Sequence, residues 1–231
     1  LPAFSVVAGL DPAIHDNKEW RQTETAMRHA ILAALLIAAP ALAQTPATPP
    51  PADAPTVIAN PPMTGPRLLI QTSMGDITLQ LDDQRAPASV ASILGFVKKK
   101  HYDGTVVYRV AKGFVIQMGS FEAHNKGRGF FPKPVPLEAG NGLHNLRGTV
   151  AMAHGDAPDS GNAEFFINLT DNTQIDQKPG QPNDGFAVFG QVVSGMEVAD
   201  AIGNVPTGDD GPMKGQAPVD PILVKKISLL K

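Results

Sequence analysis

The chain has 231 residues, 42% of them hydrophobic, with 22 Gly, 22 Pro and no Cys; 19 Lys and Arg against 22 Asp and Glu leave a net charge of -3. No basic excess exists to neutralise phosphates, which excludes a general polyanion binder, and the lack of Cys excludes a disulfide scaffold, a thiol nucleophile, a cysteine-ligated zinc and a lipidated N-terminal Cys. Gly and Pro are too frequent for a helical bundle, so the composition points to one loop-rich domain with something appended.

The first part of the chain reads as targeting rather than fold. Met27, Arg28 and His29 precede the apolar run Ala30 to Ala39, followed by Pro40 and Ala41-Leu42-Ala43. A charged start, an apolar stretch of about 7–15 residues and a small-x-small end describe a signal peptide over 27–43, cleaved before Gln44. The run is too short for a membrane span, which needs about 20 apolar residues. Residues 1–26 are then expected to lie upstream of the true start. From Gln44 to Pro66, eight of 23 residues are Pro. Such a segment buries too little apolar surface to offset the entropy of ordering, so 44–66 is expected to be a disordered, extended tether.

From Arg67 the pattern turns to β. Arg67 to Met74 and Asp76 to Leu81 alternate around Gly75 and predict a hairpin. Pro87 suits a first helical turn, and Val90, Ile93, Leu94 and Val97 recur at helical spacing, with Lys98, Lys99 and Lys100 at the negative end of that helix. Strands are predicted over Thr105 to Val110 and Phe114 to Gly119. A Gly- and Pro-rich loop follows over Ser120 to Arg147, then strands near Thr149 to Ala153, Glu164 to Leu169 and Phe186 to Val192. A second helix from about Gly195 to Ile202 and a strand over Ile222 to Leu229 complete the domain, 67–231. Many short strands with two helices predict a mainly β fold, a closed antiparallel barrel rather than alternating β-α units.

Ordinary hydrolytic constellations are missing from the sequence. No Ser sits in a Gly-x-Ser-x-Gly elbow and no His-Glu-x-x-His occurs. His101, His124, His144 and His154 fall in predicted loops without metal-ligand spacing. Thr207-Gly208-Asp209-Asp210-Gly211 lacks the alternating ligands and terminal Glu of a calcium loop and reads as a turn.

Two separated segments carry a stronger signal. The first runs from Val107 to Gly119 and contains Arg109, Gly113, Phe114 and Gln117; the second runs from Gly148 to Met152-Ala153, then from Ser160 through Glu164-Phe165-Phe166-Ile167-Asn168, then Val188-Phe189-Gly190. Together they resemble the cyclophilins, the prolyl cis/trans isomerases, over about Arg67 to Lys231. The resemblance implies an eight-stranded antiparallel barrel capped by two α-helices, with a peptide groove on its outer face. By position it makes Arg109 the catalytic arginine and Gln117 the glutamine supporting it. Phe114, Val115, Phe166 and Ile175 match the walls of the proline pocket. Ala153 and His154 match an edge that holds peptide through backbone groups, Glu164 stands where Gln is common, and Phe186 falls where a His or aromatic closes the pocket.

The chemistry suits these residue types. Amide rotation meets a barrier of about 18–20 kcal/mol because resonance must be broken, and an X–Pro bond interconverts over tens to hundreds of seconds, on the order of a minute. A dry apolar pocket favours the less polar twisted amide, and a fixed cationic donor hydrogen-bonds the prolyl nitrogen only as its lone pair localises. No metal or organic cofactor is required.

The expected activity is therefore a peptidyl-prolyl isomerase assisting the folding of exported proteins, acting in the periplasm or after secretion. Its partners are extended proline-containing polypeptides rather than nucleic acid, with no membrane span once the signal is removed; it is expected to be a monomer. Departures from the family include Tyr108 for a His, Val107 for a Phe, Val115 for a Met and Glu164 for a Gln; those at Tyr108, Val115 and Glu164 keep open a non-catalytic proline-peptide-binding module on the same fold. Gln174 stands where some members carry a cyclosporin-binding Trp, so weak cyclosporin binding is expected. A carboxylate at Glu164 is able to pair with Arg109, which would orient it but partly quench its charge, so a lower turnover than in a Gln-bearing relative is expected.

Overall fold

The computed structural model describes residues 58–124, 126–128, 133–210 and 213–230. The upstream extension, the signal segment 27–43 and the tether up to residue 57 lie outside the described residues.

Period-two burial builds the first hairpin. In β1 (Arg67–Thr72) Leu68, Ile70 and Thr72 turn inward, and in β2 (Gly75–Leu81) Ile77, Leu79 and Leu81 do the same. The remaining barrel strands are β3 (Thr105–Ala111), β4 (Val115–Met118), β7 (Thr149–Met152), β8 (Phe165–Asn168), β9 (Val188–Ser194) and β12 (Ile222–Leu230). They close antiparallel in the order β1-β12-β3-β4-β8-β7-β9-β2, so none of these strands is left with an open edge. The predicted barrel of eight strands is the observed one. Its interior is filled by one apolar cluster including Ile70, Leu79, Val110, Ile116, Val150, Phe165, Ile167 and Phe189. The helices α1 (Pro87–Lys98) and α2 (Met196–Gly203) add Val90, Ile93, Ala199 and Ile202 to that same cluster.

Four of the strands, β3, β4, β7 and β8, are buried on nearly every residue. Their outward side chains are covered as well, most of them by a second apolar cluster on the outside of the barrel and Val106 and Tyr108 of β3 by a third. This second face is where the site is built.

Helix α1 starts without a side-chain cap of its own. The carboxylate of Glu138, far along the chain, accepts from the backbone N–H groups of Ala88 (3.0 Å) and Ser89 (2.8 Å) and from the Ser89 hydroxyl (2.6 Å). A negative group on otherwise orphaned N–H donors at the positive helix end stabilises by about 1 kcal/mol, and here it also pins the long loop that carries Glu138.

Several boundaries differ from the sequence reading. Residues 58–66, expected to belong to the free tether, pack on the barrel. The Asn60 side chain accepts from the His144 N–H (2.7 Å) and donates to the His144 carbonyl (2.8 Å), Met63 is buried, and Gly65 and Pro66 exchange backbone bonds with Leu81. Proline content alone gives no sign of this two-way amide clasp. The loop over 120–147 contains two short strands, β5 (Phe121–Glu122) and β6 (Lys126–Gly127).

Of the segment read as a turn at 207–211, residues Thr207–Asp210 form a strand, β10, paired with β11 (Met213–Pro218). Its Gly and Asp content hides it, since it is held by docking rather than by an apolar stripe. Met213 and Ala217 plug into a third cluster with Val106 and Tyr108 of β3.

Candidate active site

Strand register brings the predicted residues together. Arg109 on β3 lies opposite Gln117 on β4, Gln117 opposite Phe166 on β8, Phe166 opposite Ala151 on β7, and Ala151 opposite Val188 on β9. Directly paired residues share a face, so this row places Arg109, Gln117 and Phe166 side by side on the outer surface. The neighbouring row, Val110 to Ile116 to Ile167 to Val150, faces the interior. A one-residue slip would send the whole outer set inside.

Arg109 is half-buried and fixed at two points. Its Nη1 donates to Gln117 Oε1 (3.0 Å), and its Nε donates to Gln216 Oε1 (2.6 Å). Burial lowers its pKa below the ordinary arginine value, with the nearby Tyr108 acting in the opposite direction. Both acceptors are neutral amides, so the guanidinium keeps its full charge. Gln216, on β11, was not anticipated. Only the hairpin's docking brings it to Arg109, and no motif marks it.

Beside this donor lies the outer apolar cluster. Val115, Phe166, Ile175 and Ala153 are buried in it, with Phe114 and Phe186 packed against them. Phe186 stands edge-on to Phe166, with ring centroids 5.5 Å apart at 77°, and stacks on His154 at 4.6 Å and 23°. The His154 ring is itself held, with Nδ1 2.8 Å from the Gly155 carbonyl and Nε2 3.0 Å from the Gly185 carbonyl. His154 thus adds an aromatic ring to this wall, where the sequence reading used only its backbone. The expected strand start at Phe186 gives way to a start at Val188, because the Phe186 N–H is spent on the Ile175 carbonyl (3.0 Å), tying two pocket residues together.

Beneath the cluster runs a buried amide network that the sequence reading missed. Asn168 donates to Asn145 Oδ1 (3.1 Å) and to the Thr149 hydroxyl (2.9 Å), and accepts from Asn172 (2.7 Å). Asn172 also donates to the Phe114 carbonyl (3.1 Å), and Asn145 to the Phe186 carbonyl (3.1 Å) and Asp176 (2.9 Å). Asn172 flanks the 3₁₀ turn Thr173–Ile175, so the backbones of Phe114, Ile175 and Phe186 hang on one polar frame. Satisfied networks of this kind hold one arrangement rigidly because any broken member leaves a costly buried group. Gln174, at the rim, is exposed.

Glu164 departs from expectation. No hydrogen bond joins it to Arg109, whose side-chain bonds go to the two glutamines. Its carboxylate is sealed from solvent beside Ser120 and Tyr108, without a well-aligned hydrogen bond to either. Burial dominates and pushes its pKa up to about 7, against the weaker pull of the Ser120 and Tyr108 hydroxyls. Gly119 makes room for it, because a Cβ there would come within 2.6 Å of the carboxyl carbon. The ground for a quenched arginine, and so for lowered turnover, is removed.

The matches with known proteins agree with this geometry. Residues 67–228 match the family described as cyclophilin type peptidyl-prolyl cis-trans isomerase/CLD. The chain belongs to the cyclophilin family. This cyclophilin is 45% identical over 168 residues to peptidyl-prolyl cis-trans isomerase A of Dickeya dadantii (strain 3937), covering 73% of this chain and 86% of that one. It is 38% identical over 159 residues to isomerase B of Escherichia coli (strain K12), covering 68% and 96%. Among solved structures, the Cryptosporidium parvum cyclophilin determined in the presence of the dipeptide Ala-Pro matches with a TM-score of 0.61 at 24% identity, over 71% of this chain and 99% of that one. The protein is accordingly a peptidyl-prolyl cis-trans isomerase.

The sealed carboxyl has a consequence for stability. A carboxyl whose pKa is raised on folding keeps its proton in the native state while the unfolded chain releases it, so stability falls as pH rises from 4.5 to about 7 and is level above. Glu164→Gln removes that loss. The variant's gain in unfolding free energy over wild type, measured by urea titration, should grow across that interval to on the order of 3 kcal/mol. A gain independent of pH would contradict the burial of this group.

Proposed function

We propose that this cyclophilin twists X–Pro bonds of extended polypeptides by holding the prolyl ring against Phe114, Phe166 and Ile175 while Arg109 donates to the prolyl nitrogen. The reading rests on the row that sets Arg109 beside Gln117 and Phe166 on one outer face. No bond is made or broken and no proton moves. The apolar wall strips water from the amide, which disfavours the planar, charge-separated form more than the twisted one. The guanidinium then meets a lone pair that exists only near the transition state, so its stabilisation lowers the barrier without tightening ground-state binding. Val115 replaces a longer wall residue, but buried at 1% exposure it still closes the floor. With exposed Gln174 at the rim, cyclosporin is expected to bind weakly.

The working environment follows from the leader. The signal-like segment 27–43 supports export to the periplasm or beyond, where a Cys-free chain is indifferent to oxidising conditions and meets clients as unfolded chains. It is proposed to act there as a monomeric folding helper.

Two experiments check these statements. In a protease-coupled isomerisation assay, Arg109→Ala should lower kcat/KM on the order of 100-fold while the peptide's affinity changes little; a loss below about threefold would remove Arg109 from the chemistry. N-terminal sequencing of the exported protein should begin at or near Gln44, whereas a mature protein beginning at Leu1 would rule out the proposed cleavage.

A further inference from the structure

The catalytic arginine of this reading is held from two directions, and the two holders differ in kind. Gln117 sits on the adjacent barrel strand, eight residues on in sequence, so β3–β4 pairing delivers it automatically. Gln216 lies 107 residues away, on a hairpin that is not part of the barrel sheet. Its position depends on how that hairpin docks. Met213 and Ala217 are buried against Val106 and Tyr108, the residue next to Arg109, while Asp209 accepts from the Gly215 N–H (2.7 Å) and ties the strands beside Gln216.

The two bonds also do different things. An arginine side chain carries about 2 kcal/mol of rotamer entropy. One hydrogen bond at Nη1 leaves the guanidinium plane free to swing about that contact. A second bond at Nε, nearer the stem and on the other edge of the plane, fixes both tilt and reach. Nη2 and the remaining Nη1 hydrogen are then left for a substrate. Because the acceptor is an amide oxygen, this orientation is obtained without placing negative charge beside the guanidinium, which a carboxylate would do.

We propose that Gln216 is a positioning residue for Arg109, and that the β10–β11 hairpin is therefore part of the catalytic apparatus rather than a surface ornament. The inference rests on the role given to Arg109 above.

The test uses Gln216→Met, which keeps the stem and volume but offers no amide oxygen, with Gln216→Ala as a second variant. Each is made in the wild-type chain and again with Arg109→Ala. With Arg109 present, kcat/KM for an Ala-Pro peptide should fall about tenfold, as expected for a misdirected reacting group. Peptide affinity and melting temperature should hold, and the Arg109 Nε–H resonance should lose its protection from solvent exchange. With Ala at position 109, the same substitutions should change nothing further, since no guanidinium remains to be aimed.

A loss below twofold in both variants, an equal fractional loss in the Arg109→Ala background, or an unchanged Nε–H signal would each overturn the proposal. If Arg109→Ala by itself leaves activity intact, the chemistry assigned to Arg109 fails first, and that result is distinct from a failure at Gln216 alone.

Discussion

The site depends on one cation kept whole and kept still. Arg109 is half-buried, and a half-buried charge ordinarily recruits a carboxylate to offset the cost of leaving water. Here it has two neutral carbonyl partners instead, Gln117 and Gln216. They satisfy two of the guanidinium's donors and leave its charge undivided for whatever lies over the apolar wall. The carboxylate that the sequence sets against it, Glu164, is turned toward Ser120 and Tyr108 and sealed there, where burial favours its protonated form up to about pH 7.

The rest of the fold serves this arrangement. The barrel's antiparallel register converts a sequence alternation into a row of side chains on the outer surface, and its packed interior makes slippage of that row costly. The asparagine network under the pocket holds Phe114, Ile175 and Phe186 by their backbones, so the hydrophobic wall is as fixed as the donor beside it. Preorganisation of both parts matters to the proposed mechanism, in which no intermediate forms and a surface already shaped for the twisted amide lowers the barrier. The clasp of Asn60 on His144 reaches the same frame, since the His144 ring lies 2.8 Å from an Asp176 oxygen and Asp176 also accepts from Asn145.

Much of this was legible in the sequence, and the reasons differ by element. Leu68, Ile70, Ile77, Leu79 and Leu81 announce their strands by alternation, and Pro87 with Val90 and Ile93 announces the first helix, because in each case local period and tertiary burial agree. The core of the site, Arg109 through Gln117 with Phe166, was also readable, since its residues lie on adjacent strands at fixed spacing. What escaped was non-local or compositionally disguised. Gln216 meets Arg109 only through a docked hairpin rich in Gly and Asp, and Asn145, Asn168 and Asn172 look like loop residues until the turn they brace is seen. The pairing expected between Glu164 and Arg109 failed because proximity along neighbouring strands does not say which way a side chain leans once Gly119 has opened a space for it.

In the proposed chemistry Arg109 acts as a directed planar donor, not merely as a positive charge, and Arg109→Lys separates the two. Lysine keeps the charge but cannot be held at Nε by Gln216 while offering a second edge to the amide. Exchange spectroscopy on an Ala-Pro peptide, with wild type and variant at equal bound fraction, measures the on-enzyme isomerisation rate directly. The rate in Arg109→Lys should fall by on the order of 100-fold, close to the loss on complete truncation. A lysine variant turning over within about threefold of wild type would contradict the claim, because charge alone would then suffice.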